Sequence, residues 1–86
     1  MASAAANEGA QCLQMGLLKD AIRAFSRGLE ANPEDDACLL GLARAHLAQG
    51  DAAGAEAPLR RLVKLRPEHL EAQSHLALQG LVGANK

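Results

Sequence analysis

Two prolines set 34 residues apart constrain this chain more than any other feature. Pro33 lies in Asn32-Pro33-Glu34 and Pro67 in Arg66-Pro67-Glu68. The same step carries Gly16 onto Gly50, Ala21 onto Ala55 and Arg27 onto Arg61, and Leu13 recurs as Leu47 and Leu81. Small residues, a bulky apolar residue and a proline that return at unchanged phases mark one supersecondary unit used more than once.

The unit reads as helical, because Ala and Leu dominate the 86 residues and Phe25 is the single aromatic. Five helices and no strand are expected. The first runs from about Ala2 to Met15 and stops at Gly16, a residue that can take the left-handed conformation closing a helix. The second, about Leu18 to Ala31, carries Ala21, Ile22, Phe25 and Leu29 at helical spacing. Asn32 is expected to cap a third helix with Pro33 at its first position and Glu34, Asp35 and Asp36 in its first turn. Leu39, Leu42, Ala43, His46 and Leu47 face inward along it, to about Gln49, and Gly50 repeats the role of Gly16.

Asp51 is a natural cap for the fourth helix, about Ala52 to Leu65, with Leu59, Leu62 and Val63 inward. Pro58 falls inside this helix, where a missing hydrogen bond and a ring clash predict a bend, with Gly54 four residues earlier absorbing the clash; a hinge is the alternative reading. Pro67 opens a fifth helix to about Val82 bearing Leu70, Leu76, Ala77 and Leu81, after which Gly83 to Lys86 should fray.

On these residues the chain resembles the tetratricopeptide repeat family. The resemblance implies an all-α fold: two helix-turn-helix repeats, about 2–32 and 33–66, and a C-terminal capping helix, about 67–82, stacked as a right-handed α-solenoid in one domain spanning 1–86. The family sets small residues where helices cross closely. Gly9, Ala43 and Ala77 hold one such phase, Ala21 and Ala55 another, and Phe25 and Leu59 take the bulky phase between helices. Two positions depart from the pattern: Glu8 stands in the phase of Leu42 and Leu76, and Leu62 in that of the small Gly28.

Charge and chemistry remove several function classes. A formal net charge of −1 provides no basic field for a phosphate backbone or an anionic lipid surface, so neither nucleic acid nor membrane insertion is expected. No stretch reads as a signal peptide or approaches a transmembrane length, which predicts a soluble, cytoplasmic protein. Cys12 and Cys38 each fall on an apolar helix stripe and read as buried free thiols in preference to a disulfide pair. There is no Gly-rich phosphate loop, no nucleophile beside a base and no Cys or His cluster at a zinc spacing. His46 follows the core period, and His69 and His75 lie six apart on different faces. No catalytic residue, cofactor or metal site is expected, and the chain does not read as an enzyme.

Recognition remains. The resemblance implies a concave surface lined by the first helix of each pair and receiving an extended or helical peptide. Mapped onto this sequence, that surface takes Asn7, Ala10 and Leu13 from the first helix, Leu40, Arg44 and Leu47 from the third, and Ser74, Leu78 and Leu81 from the fifth. Family members that grip the terminal carboxylate of chaperone tails use a clamp of Lys, Asn and Arg. Here only Asn7 and Arg44 match it, while Ala6, Ala10, Ser74 and Leu78 stand in the other places. An apolar groove suits an amphipathic helix or hydrophobic peptide instead, with Arg44 orienting it through an acidic group. Leu13, Leu47 and Leu81 can equally be read as contacts between adjacent helices. The expected function is a protein–protein interaction module, an adaptor or scaffold with a protein or peptide partner. The alternative is a self-association module forming a homo-oligomer through exposed apolar helix faces.

Overall fold

In the computed structural model the backbone is described for residues 3–84 and the side chains for residues 3–78. Five helices follow one another: α1 (Ala4–Gln14), α2 (Leu18–Ala31), α3 (Asp36–Ala48), α4 (Ala52–Leu65) and α5 (Leu70–Ala84). No strand occurs among the described residues. Each helix packs on the next, and α1 also reaches α3.

The turns inside the helix pairs follow from glycine. Gly16 and Gly50 have φ of 78° and 80°, the left-handed region where a side chain would be strained. Leu17 N–H donates to Cys12 O at 2.8 Å and Gly16 N–H to Leu13 O at 3.1 Å; Asp51 and Gly50 repeat the pattern onto His46 O at 2.8 Å and Leu47 O at 2.9 Å. Both ends therefore satisfy their last carbonyls in the same way. Asp51 then caps α4 as expected, its carboxylate accepting from Gly54 N–H at 2.8 Å.

The turns between pairs correct the sequence reading. Asn32 does not cap α3 and Pro33 is not its first residue. A residue before proline is driven to extended backbone, and Asn32 has φ −145° and ψ 96°. Its side-chain oxygen accepts from Glu34 N–H at 3.1 Å, and its carbonyl accepts from Asp35 N–H at 3.1 Å. That turn delivers Asp35 to the capping position, where its carboxylate accepts from Cys38 N–H at 3.2 Å. Burial pushes the Asp35 carboxyl up, but hydrogen bonds from Ser3 and Cys38 outweigh it and hold the group below its ordinary value. The second proline behaves alike: Pro67 precedes α5 by a turn, and His69 Nδ1 accepts from Ala72 N–H at 3.3 Å. Gly83 and Ala84, placed beyond the fifth helix by the sequence reading, fall within α5, while Asn85 and Lys86 lie outside the described residues.

Two apolar clusters fill the interior. Ala6, Ala21, Phe25, Cys38 and Ala45 join α1, α2 and α3. Leu39, Ala43, Ala55, Leu59, Leu62 and Ala72 join α3, α4 and α5. Cys12 and Cys38 are free thiols, and burial pushes that of Cys38 above its ordinary value, which makes it a poor nucleophile. α4 runs unbroken from Ala52 to Leu65 across Pro58, which is buried. His46 is partly buried, its Nδ1 lying 3.3 Å from Asp51 Oδ2 without hydrogen-bond alignment.

The phase of α5 is the other correction. Leu70, expected inward, is 77 % exposed, and Ala77, expected at a close helix crossing, is exposed too. Ala72 is fully buried instead, and Leu76 packs beside it against α4. Ala43 lies between packed helices, whereas Ala77, one repeat later, has no further helix over it among the described residues.

Candidate binding groove

Phe25 gives the groove its floor. The ring projects from α2 between α1 and α3, and it fits because the residues beside it have no side chain. A Cβ added at Gly9 would lie 2.6 Å from Phe25 Cζ, and one at Gly41 2.7 Å from Cε2 and closer still to Cζ and Cε1. Carbon contacts are comfortable near 3.5 to 4 Å, so the two glycines are what let α1 and α3 close on the ring.

Over that floor runs a cavity of about 230 Å³ bounded by Asn7, Ala10 and Leu13 of α1 and by Leu40, Gly41 and Arg44 of α3. Five of the residues expected to bind from sequence are therefore gathered around one cavity. Asn7, Ala10 and Arg44 are exposed, while Leu13 and Leu40 are half-buried, each also packing against a core cluster. Leu47 is half-buried against the core cluster shared by α3, α4 and α5 and does not line the cavity. Ser74 and Leu78 are exposed on α5, away from the cavity lining. The Leu81 side chain lies outside the described residues.

The electrostatics of the rim depend on a residue that sequence reasoning missed. Glu71 of α5 holds the Arg44 guanidinium in a two-pronged pair, Nη2 to Oε1 at 2.6 Å and Nε to Oε2 at 2.9 Å. This hydrogen bonding lowers the Glu71 carboxyl below its ordinary value and raises that of Arg44. His75 Nε2 stands 3.7 Å from Glu71 Oε2 on the following turn. The acidic group anticipated in a partner is thus supplied by the chain itself, and it neutralises the one cation bordering the cavity. Only the i,i+4 spacing of Glu71 and His75 could have drawn attention to Glu71, because its pairing with Arg44 spans 27 positions.

A groove with an apolar floor, a neutralised rim and small residues on one wall can exclude water from an apolar side chain but offers little to a charged one. No group of three or more His, Cys, Asp or Glu side chains among the described residues is arranged to hold a metal ion. No described helix is long and apolar enough to cross a membrane. Comparison with protein families matches residues 13–78 to the tetratricopeptide repeat. The chain belongs to the tetratricopeptide repeat family. Repeats of this family generally mediate protein–protein interactions and are typically not enzymes. Neither the curated proteins nor the solved structures gave a match.

Proposed function

We propose that this tetratricopeptide repeat protein is an adaptor or scaffold module that receives an apolar or amphipathic segment of another protein in the groove between α1 and α3. The observation that carries this reading is the cavity of about 230 Å³ over Phe25, walled by Ala10, Leu13 and Leu40. Its rim cation is already paired with Glu71, so affinity comes from burying an apolar anchor and not from gripping a terminal carboxylate.

Peptides selected on the wild-type domain from a random display library test the reading. The selected set should be rich in Leu, Ile, Phe or Met at helical spacing, and Leu40→Glu should abolish binding while the helical circular-dichroism signal persists. Selected peptides that bind the folded Leu40→Glu variant normally would remove the groove from consideration. A second reading, self-association, is favoured by Leu70 and Leu78, which are 77 % and 60 % exposed on α5. Light scattering across a concentration series separates the two: the adaptor stays monomeric, the self-associating module does not.

A further inference from the structure

A second recess lies on a different part of the molecule and shares no residue with the groove. It occupies about 350 Å³ between α4 and α5, with Val63 and Leu76 at its base and Arg60, Arg61 and Lys64 around it. Val63 and Leu76 are half-buried and pack against the core, so the base is apolar and held in place.

The surrounding cations are poorly compensated. Among the described residues Lys64 has no ion-pair or hydrogen-bond partner, and Arg61 donates to the neutral carbonyl of Pro33 at 3.1 Å, which orients the guanidinium without cancelling its charge. Arg60 pairs with Glu56 at 2.7 Å, but the two side chains are 70 % and 44 % exposed, and such a pair one turn apart contributes little and is readily exchanged. The sequence from Ala57 to Pro67 holds Arg60, Arg61, Lys64 and Arg66 and no acidic residue, in a chain whose net charge is −1; of the four, Arg66 is paired with Asp36 at 3.1 Å and does not line the recess. The positive charge is therefore local to this edge of α4.

We propose that this recess docks an acidic segment of a partner protein, with one bulky aliphatic side chain seated on Val63 and Leu76 and neighbouring carboxylates paired with Arg60, Arg61 and Lys64. Charge complementarity selects the acidic residues and the apolar base selects the anchor between them. A nucleic acid fits less well: the single aromatic of the chain, Phe25, is buried and cannot stack on a base, and three cations on one helix edge neutralise few phosphates. A membrane surface fits less well because Val63 and Leu76 are half-buried against the core and do not form a broad exposed apolar face.

The test uses a labelled twelve-residue peptide of repeated Glu-Glu-Leu-Leu, followed by fluorescence anisotropy and by amide chemical shifts in the protein. Saturable binding is expected, with the shifts confined to the 60–64 stretch of α4 and the neighbourhood of Leu76. Peptides with Gln for Glu or Ser for Leu, and the Arg60→Gln/Lys64→Gln double variant, should each bind about tenfold or more weakly, and added salt should weaken the wild-type complex. Circular dichroism confirms that the variant is folded. The proposal is overturned if the peptide fails to saturate, if the Gln peptide or the double variant binds as tightly as the parent pair, or if phosphatidylserine vesicles or a single-stranded oligonucleotide bind where the peptide does not.

Discussion

Gly41→Ala is the smallest change that tests how α1, α2 and α3 fit together. In most helices this substitution stabilises, since alanine is favoured over glycine by about 1 kcal/mol in a helix interior. Here the added methyl would meet the Phe25 ring at 2.7 Å and closer. The ring is 1 % exposed, so it cannot swing into solvent, and on its α1 side it already occupies the space that a side chain at Gly9 would need. Either the ring leaves its rotamer or the helices separate, and such overpacking costs about 1 to 3 kcal/mol. Set against the propensity gain, the net loss is about 0 to 2 kcal/mol, which in a domain of this size lowers Tm by up to roughly 15 °C.

Urea and thermal melts monitored by circular dichroism provide the assay, and Phe25→Leu supplies the partner change for a double-mutant cycle. Trimming the ring makes room for the methyl, so the Gly41→Ala cost should shrink by about 1 kcal/mol or more in the Phe25→Leu background. A Gly41→Ala protein more stable than wild type by the full helix-propensity gain, or costs that simply add in the cycle, would refute the placement of the ring between the two glycines. The floor of the groove would then have to be reassigned.

Two further outcomes follow from α5. Leu70→Ala should leave stability within about 0.5 kcal/mol of wild type, whereas Leu76→Ala, half-buried against α4, should cost about 1 to 3 kcal/mol; equal urea midpoints for the two variants would contradict the observed phase of the helix. Hydrogen bonding to Arg44 lowers the Glu71 carboxyl in the folded state, so its stabilisation is complete above the ordinary Glu value and is lost as pH falls through the lowered one. Glu71→Gln should therefore destabilise near neutral pH, by about 1 kcal/mol or less for so exposed a pair, and the gap should close in strong acid. A gap unchanged from neutral pH to about pH 3 would show that the pair contributes nothing through ionisation.

Much of this protein was determined locally and is legible in its sequence. The bounds of α2 and α4, the glycine turns at Gly16 and Gly50 and the Asp51 cap depend on residues within one helical turn of each other, and such short-range preferences act wherever the chain is placed. Even the misplaced starts of α3 and α5 have a local cause, the extended backbone that proline imposes on the residue before it, which moved the caps to Asp35 and His69. The grouping of Asn7, Ala10, Leu13, Leu40 and Arg44 around one cavity is what the resemblance to the tetratricopeptide repeat implied, not something the spacing alone gave.

What the tertiary structure alone decided are the choices between faces and between distant partners. α5 offers apolar residues at several phases, and packing on α4 selected Ala72 and Leu76 while leaving Leu70 and Leu78 in water. Periodicity could not choose, because an apolar residue is stabilised only where another surface covers it. Arg44 meets Glu71, and Arg60, Arg61 and Lys64 come to surround an apolar base shared with Leu76, because whole helices dock; no spacing along the chain encodes either arrangement.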